Sequence, residues 1–196
     1  MTGWGSRLLG LGGRSLVLAS ASPRRAEILS LLGVPFTVRP ADLDETPRAQ
    51  ETPEALVERL AREKALAVTW HDREAVLAAD TTVVLDGNSL GKPADDAEAR
   101  VMLQSLSGRT HSVLTGVAVR LGADRVHSGV ESTEVRFRAL TAEDLDALVF
   151  SGEARDKAGA YGIQGLASLC VEHIQGDYLN VVGLPLGLCR RLLTHS

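Results

Sequence analysis

The segment Thr52–Val68 constrains the fold most strongly, because it combines a well-marked helix with a lysine in its apolar face. Thr52 suits the N-cap and Pro53 suits the first helical position. At about 100° per residue, the apolar side chains from Leu56 onwards cover roughly 140°, and Lys64 falls at about 80°, inside that arc. The other charged residues of the segment fall outside the arc: Glu58, Arg59, Arg62 and Glu63. A buried lysine is rare without a negative partner, so the pattern indicates a buried anion site. The alternative is a lysine that snorkels outwards or pairs with a structural carboxylate.

Composition limits the classes of protein to which the chain can belong. Its 196 residues suit one domain, or two small lobes on one sheet, and its net charge of -4 argues against nucleic-acid binding. Cys170 and Cys189 form no CxxC motif and no histidines stand at metal-ligand spacing, so neither a disulfide framework nor structural zinc is expected. No apolar run has the length of a membrane span, and no signal peptide is evident. We therefore expect a cytoplasmic protein with no membrane or nucleic-acid partner.

Strand and helix signals alternate along the chain, which predicts an α/β fold with a mixed β-sheet and flanking helices. The predicted strands are Leu16–Ser20, Phe36–Arg39, Val76–Leu85, His111–Arg120, Glu131–Arg138 and Ala167–Ile174. The predicted helices are Pro23–Leu32, Thr52–Val68, a segment from Asp95 to Gly108, a segment that begins near Thr141, and Leu186–Leu193. The dipeptide Asp86-Gly87 predicts a hairpin turn. Residues 1–15 are rich in glycine and are expected to form a flexible extension ahead of a single domain at 16–196.

Two arginines stand where the start of a helix normally carries acidic residues. Ser22 can cap the helix that follows it and Pro23 suits its first position, so the positive end of this helix contains Arg24 and Arg25. Arg25 precedes Ile28 by one helical turn and therefore points towards the packed side. Backbone N–H groups, the helix dipole and two guanidinium groups together predict a phosphate-binding site. Two arginines on a solvated first turn are the alternative.

Three further features place polar groups where the local pattern does not require them. Asp80 interrupts the apolar strand Val76–Leu85, either as a hydrogen-bonded structural group or as a carboxylate held for its charge. Lys92 follows the hairpin and can reach back to the same pocket, although a lysine in a turn is most often solvated. Asp156–Gly165 is a glycine-rich stretch that permits close backbone approach to a ligand. Within it, Gln164 offers a donor and an acceptor for the edge of a nucleobase.

These charged groups favour phosphoryl chemistry over acyl transfer. The sequence contains no GxSxG motif and no Cys–His arrangement typical of nucleophilic catalysis. It also lacks the GxxxxGK(S/T) loop of P-loop nucleotide-binding proteins. A nucleotide site in this chain is therefore expected to be of another kind.

A series of ordered motifs carries a family resemblance. The motifs are LASASPRR at Leu18–Arg25, the acidic loop that ends at Glu45, AREKA around Lys64, AADTTV around Asp80, GKP at Gly91–Pro93, LSGRTHSVLTGV at Leu106–Val117, DKAGAYGIQG and GDYLNVVGLPL. Through them the chain resembles the Maf family of nucleoside triphosphate pyrophosphatases from Leu16 to the C-terminal helix. The resemblance implies a curved mixed sheet with two lobes around a nucleotide cleft, related in shape to the inosine triphosphate pyrophosphatases.

The resemblance also implies a reaction and the residues that perform it. The reaction is hydrolysis of a nucleoside triphosphate to the monophosphate and pyrophosphate, aided by a divalent metal cation. Mg²⁺ is the expected cation, and Mn²⁺ and Co²⁺ stay open as alternatives. Asp80 matches the general-base position, and Glu45 together with Asp80 matches the positions that hold the metal. The phosphate-binding positions are matched by Ser20, Arg25, Lys64 and Lys92. The resemblance further implies a homodimer.

Three residues resemble the pyrimidine-type subgroup, which prefers dTTP and UTP. Members of this subgroup carry SPRR, ADT and GIQG, and the corresponding specificity residues here are Arg24, Thr81 and Gln164. The order of preference among dTTP, UTP, CTP and modified pyrimidine nucleotides stays open. The nearest alternative is the same reaction on 7-methyl-GTP or a modified purine nucleotide. A non-catalytic nucleotide-binding regulator of cell division is an alternative of another class, although retention of every charged motif position favours catalysis.

Overall fold

Seven strands form one mixed sheet in the computed structural model, which describes residues 3–153 and 155–194. The strands are β1 Ser15–Leu18, β2 Phe36–Val38, β3 Glu74–Leu85, β4 Asn88–Leu90, β5 Thr110–Arg120, β6 Val126–Phe137 and β7 Val171–Gln175. Their order is β2-β1-β3-β5-β6-β7, and β4 pairs with β3 outside this path. Strand β1 is parallel to β2 and β3, whereas β4 is antiparallel to β3 and β7 is antiparallel to β6. The predicted α/β class with a mixed sheet and flanking helices is confirmed.

The helices begin and end close to the predicted positions. They are α1 Trp4–Leu9, α2 Pro23–Leu31, α3 Pro53–Ala67, α4 Asp96–Leu106, α5 Ala142–Phe150, α6 Tyr178–Val182 and α7 Leu186–Thr194, with two short 3₁₀ segments at Ala158–Ala160 and Leu166–Cys170. Thr52 caps α3 as predicted, because its hydroxyl oxygen accepts a hydrogen bond from Ala55 N at 3.3 Å. Helices α1 and α6 were not expected from the sequence. Within the described ranges, no helix combines the length and the apolar character needed to cross a membrane.

The described residues form two compact units. The first contains 3–80, 115–131 and 183–194, and the second contains 81–114, 132–153 and 155–182. A boundary falls within each of the strands β3, β5 and β6, so each of them contributes to both units. On β3 the residues up to Asp80 belong to the first unit, and those from Thr81 onwards belong to the second.

In the first unit, helix α3 packs closely against the sheet. Its apolar stripe contributes Ala61 and Ala65 to a buried cluster that also contains residues of β1, β3 and β5. Gly116 of β5 permits this close approach, since a Cβ at that position would lie 2.2 Å from Val57 O. Lys64 lies on the same helix and is only 8% exposed. The packing of α3 therefore holds a lysine inside the unit.

The described part of the N-terminal extension is packed rather than loose. Helix α1 contacts α7, and Arg190 Nε donates a hydrogen bond to Leu8 O at 2.9 Å. Leu9 and Leu11 are 4% and 2% exposed and are buried in the first unit, whereas Trp4 and Leu8 are 78% and 69% exposed. Gly10, at φ +90°, allows the chain to leave the helix. This finding differs from the predicted flexible extension, and residues 1 and 2 lie outside the described residues.

The predicted hairpin turn is confirmed, and two helix ends carry residues typical of caps. Asp86 and Gly87 both have positive φ, +52° and +79°, and they connect the antiparallel strands β3 and β4. Gly33, at φ +63°, follows the end of α2. Thr141 and Asp144 form a capping box at the start of α5, with Asp144 in the position usually taken by Glu or Gln.

One predicted strand is wrong in its first half. The sequence predicted a strand over Ala167–Ile174, but the structure has the 3₁₀ segment Leu166–Cys170, and β7 begins only at Val171. Ser168 N donates to Gly165 O at 3.0 Å and closes a tight turn there. The cause is the short apolar alternation of this segment, which fits a strand and a tight helical turn equally well.

Three aromatic rings form a buried cluster in the second unit. His111, Phe137 and Tyr161 are 3%, 0% and 6% exposed, and all three pairs pack edge to face. His111 Nε2 and the Tyr161 hydroxyl lie 2.7 Å apart and share a hydrogen bond. Burial lowers the pKa of His111 to about 4, so this ring is neutral near pH 7.

Acidification is expected to destabilise the protein through His111. The unfolded chain binds a proton at this ring near its ordinary pKa of 6.5, whereas the folded chain binds it only near 4. The stabilisation is therefore fully present above pH 6.5 and is lost as the pH falls towards 4, by about 3 kcal/mol at most. Urea unfolding at a series of pH values measures this slope. A His111→Phe variant should lose most of it, and an unchanged slope in that variant would contradict the assignment.

Candidate active site

Helix α2 begins just beyond the end of β1 and carries a buried arginine. Arg25 and Ser20 are 9% and 7% exposed. Arg25 Nη1 donates a hydrogen bond to Ser20 Oγ at 2.9 Å, and Arg25 Nε donates to Gly183 O at 2.8 Å. Burial lowers the pKa of Arg25, while the nearby charge of Asp80 acts in the opposite direction. The buried side chain agrees with the prediction that Arg25 points towards the packed side.

The start of α2 differs from the prediction in its cap. Ser22 occupies the N-cap position, but within residues 3–153 and 155–194 its side chain makes no capping hydrogen bond. Its backbone N–H instead donates to Ser20 Oγ at 3.2 Å. Arg24 is partly buried, and its positive charge contributes to the lowered pKa of Arg25. The N-terminus of α2 thus combines the helix dipole with two adjacent arginines, an arrangement that favours an anion.

Lys64 lies between two carboxylates. Its Nζ is 2.6 Å from Asp80 Oδ1 and 2.6 Å from Glu45 Oε1. The side chains of Lys64 and Asp80 are 10% and 14% exposed, whereas that of Glu45 is 48% exposed. The partners of this lysine are therefore two carboxylates, which corresponds to the alternative given for it, and the binding of a substrate anion by Lys64 stays a prediction. The charges of Asp80 and Glu45 also act on Arg25, so two acidic and two basic side chains are grouped in this part of the unit.

Arg59 holds the loop that carries Glu45, although the helical projection places it outside the apolar face of α3. The side chains of Arg59 and Glu51 are 13% and 8% exposed, and Arg59 Nε and Nη2 donate to Glu51 at 2.6 and 2.8 Å. This guanidinium lowers the pKa of Glu51 to about 2. Arg59 Nη2 also donates to Thr46 O at 3.3 Å. Because Thr46 directly follows Glu45, these bonds fix the loop close to where Glu45 meets Lys64.

The remaining residues proposed for the site belong to the second unit. Thr81 directly follows Asp80 on β3 and is partly buried. Lys92 and Gln164 are exposed. The side chain of Lys92 makes no hydrogen bond or ion pair with any residue that the structure describes. The structure therefore brings together five proposed residues within the first unit, namely Ser20 with Arg25 and Lys64 with Glu45 and Asp80. The convergence of the second-unit residues on the same ligand stays a prediction.

The arrangement in the first unit defines a class of site. A buried guanidinium at a helix N-terminus binds phosphate or another polyanion. A pair of carboxylates that already converge on a cation provides hard oxygen ligands for a divalent metal. An α/β protein with both features is suited to bind a phosphorylated small molecule together with a metal cation.

Comparison with known proteins agrees with this class. The chain belongs to the Maf family, since the family model described as "Maf-like protein" matches residues 15–196. Proteins named dTTP/UTP pyrophosphatase from Bacillus cereus (strain AH820) and Bacillus anthracis are each 51% identical to it over 174 residues, which is 88% of this chain and 91% of each relative. The predicted family membership is confirmed.

Two solved structures align with much of the chain at low sequence identity. A HAM1 protein from Coxiella burnetii aligns with 93% of this chain and 100% of its own, at 21% identity and a TM-score of 0.47. A nucleoside-triphosphatase, dITP/XTP pyrophosphatase, from Mycobacterium abscessus aligns with 71% of this chain and 95% of its own, at 16% identity and a TM-score of 0.39.

Proposed function

We propose that the chain is a nucleoside triphosphate pyrophosphatase that hydrolyses dTTP and UTP to the nucleoside monophosphate and pyrophosphate. The observation that carries the proposal is the convergence of Glu45 and Asp80 on Lys64, in the same unit as the buried pair of Ser20 and Arg25. This charged group occurs in a Maf-family chain that is 51% identical to proteins named dTTP/UTP pyrophosphatase.

Basic residues bind the β and γ phosphates of the substrate. Arg25 supplies a planar guanidinium that can hold two phosphate oxygens at once, and Ser20 fixes its orientation through the hydrogen bond at 2.9 Å. Lys64 and Lys92 supply ammonium groups that act as point charges. The same groups stabilise the negative charge that develops on the leaving pyrophosphate.

The two carboxylates fit a divalent metal. Their oxygens already approach one cationic group at 2.6 Å each, and carboxylate oxygens are preferred ligands of Mg²⁺. Among the described residues, no group of three or more His, Cys, Asp or Glu side chains is arranged to hold a metal. Glu45 and Asp80 would hold Mg²⁺, or Mn²⁺ or Co²⁺ in its place, together with oxygens of the substrate phosphates. When bound, the cation neutralises charge around the α phosphate.

Asp80 orients or deprotonates the attacking water. The water oxygen forms a bond to the α phosphorus while the bond from that phosphorus to the bridging oxygen breaks, so pyrophosphate leaves. The Asp80 side chain is 14% exposed, and Lys64 holds its Oδ1 in a fixed position. A carboxylate held in one orientation is suited to direct a water molecule towards the phosphorus.

Recognition of the base is assigned to three residues. Gln164 pairs its amide donor and acceptor with the edge of uracil or thymine. Arg24 and Thr81 shape the same pocket. The exposure of Gln164 supports a contact with a ligand rather than a role in the core.

Membership of the Maf family supports a wider proposal about assembly and location. We propose a homodimer that acts in the cytoplasm. Removal of non-standard nucleotides and control of septum formation are both compatible with the activity.

Product analysis tests the proposed function. The purified chain is incubated with dTTP, UTP, CTP, 7-methyl-GTP and ITP, each with and without Mg²⁺. Chromatography separates monophosphate from diphosphate, and added inorganic pyrophosphatase reveals pyrophosphate. We expect metal-dependent formation of dTMP and UMP together with pyrophosphate.

Other outcomes would each change a different part of the proposal. Preferred turnover of 7-methyl-GTP or ITP would keep the reaction and overturn the roles of Arg24, Thr81 and Gln164. Release of phosphate and a diphosphate would overturn the bond that is cleaved. Absence of turnover with every nucleotide would favour the binding-only regulator.

Replacement of Gln164 by alanine is expected to change selectivity more than catalysis. Loss of paired hydrogen bonds to the base should lower the ratio of kcat/KM for dTTP to that for ITP by about tenfold. Stability should change by less than about 0.5 kcal/mol, because the side chain is exposed. Gln175→Ala, an exposed glutamine of the same unit, is the matched control and should leave the ratio unchanged. An unchanged ratio in Gln164→Ala would remove this residue from base recognition.

A further inference from the structure

The aromatic cluster of the second unit contains a buried hydrogen bond that the proposed reaction does not use. His111 Nε2 and the Tyr161 hydroxyl are 2.7 Å apart, and both residues are more than nine-tenths buried. Phe137 packs edge to face on each ring, with centroid distances of 5.1 and 4.8 Å. The second ring nitrogen of His111 is buried without a hydrogen-bond partner among the described residues. The Tyr161 hydroxyl is therefore the hydrogen-bond partner of this histidine ring.

Tyr161 anchors a backbone segment that is strained on its N-terminal side. Ala160, which directly precedes it, has φ +61°, a left-handed conformation that costs a residue with a Cβ about 1 kcal/mol or more. Gly159 has φ +68°, and a Cβ at this position would lie 2.9 Å from a Val83 methyl group. Two successive left-handed residues against a strand persist only where the surroundings hold them. The buried ring and its hydrogen bond provide that hold.

The anchored segment carries or contacts two residues of the proposed site. Gln164 lies three positions after Tyr161 in the chain, beyond Ile163, which is 6% exposed. On the other side, Gly159 N donates to Gly91 O at 3.0 Å, and Lys92 directly follows Gly91. Along the chain, Tyr161 thus lies between Gln164 and Gly159, the residue that is hydrogen-bonded to the neighbour of Lys92.

We infer that Tyr161, held by His111, is a positioning residue that fixes where Gln164 and Lys92 are presented to the nucleotide. The inference rests on the proposed function for the roles of those two residues. The hydrogen bond keeps the segment 156–165 in one conformation, so that the base-reading amide and the phosphate-binding ammonium keep a constant separation.

Tyr161→Phe tests the inference, because it keeps the ring and removes only the hydroxyl group. We expect KM for dTTP to rise about tenfold and kcat to change by less than about threefold, since Asp80 is untouched. The ratio of kcat/KM for dTTP to kcat/KM for ITP should fall in the same variant. Amide hydrogen exchange should become faster in 156–165 and 91–92 and stay unchanged in α4 and α5. Tyr178→Phe is the matched control, because it makes the same change at an exposed tyrosine of the same unit.

A double-mutant cycle with His111→Phe separates positioning from general packing. Both single variants remove the same hydrogen bond, so their effects on KM should not add in the double variant. Additive effects, or equal losses for dTTP and ITP with faster exchange throughout the second unit, would overturn the inference. Unfolding of both single variants would also overturn it, because the bond would then support the whole unit rather than one segment. An inactive wild type would defeat the proposed function alone, and the exchange of 156–165 would still decide whether Tyr161 positions the segment.

Discussion

Replacement of Asp80 by asparagine is expected to lower kcat for dTTP by about 10³-fold or more, with little change in stability. The amide has the shape of the carboxylate but can neither accept the proton of the attacking water nor supply a negative charge to a metal. Its oxygen can still accept the hydrogen bond from Lys64 Nζ that Asp80 Oδ1 accepts at 2.6 Å. Glu45, at the same distance from Lys64, keeps the ammonium group paired. Steady-state kinetics measures the loss, and calorimetric titration with dTTP should show that the nucleotide still binds.

Asp86→Asn is the matched control for this loss. Asp86 lies on the hairpin at the end of the same strand, exposed and paired with Arg109 at 2.6 Å. Its φ of +52° is one that asparagine adopts readily, so the variant should fold normally and keep full activity. If the Asp80→Asn enzyme kept about a tenth or more of the wild-type kcat, Asp80 would be excluded as the general base.

The partnership of Lys64 could be predicted because it follows from local geometry. A helical projection of Thr52–Val68 is enough to place the lysine inside an apolar arc, and a buried ammonium group requires negative partners. The projection does not identify those partners. Asp80 and Glu45 come from a distant strand and a loop without regular structure, and in the sequence only the motif resemblance connects them with Lys64.

Other features of the site could not be predicted because they depend on contacts between segments that are distant in the sequence. Arg59 falls on the polar face of α3 in projection, yet its side chain is 13% exposed because the segment 44–51 folds over it. The carbonyl of Gly183, which accepts from Arg25 Nε, belongs to a segment 158 residues further along the chain. Its only sequence signal is the motif GDYLNVVGLPL, which does not indicate a carbonyl directed at Arg25. Hydrophobic periodicity describes one element at a time, so it does not reveal which loop covers a face or which carbonyl meets a side chain.

Gly116→Ala is expected to cause the largest loss of stability among the substitutions considered, and it tests the packing that buries Lys64. A Cβ at this position would lie 2.2 Å from Val57 O and 2.3 Å from Val57 C, so it would meet helix backbone rather than a side chain that can change rotamer. Helix α3 would have to move away from β5, which should lower the free energy of unfolding by about 3 kcal/mol or more. For a chain of this size the melting temperature should fall by about 6–12 °C.

The same substitution at Gly187 gives the opposite expectation. Gly187 lies within α7 in the same unit, and a Cβ there would meet only Arg191 Nη1 at 3.7 Å, an ordinary contact. Alanine should therefore stabilise this helix by about 0.5–1 kcal/mol. Calorimetry of both variants measures the contrast, and kcat/KM for dTTP should fall only in Gly116→Ala, because α3 carries Lys64 towards its two carboxylates. If Gly116→Ala melted with the wild type, α3 would not lie against β5 as closely as the structure has it, and the depth at which Lys64 meets Asp80 would have to be revised.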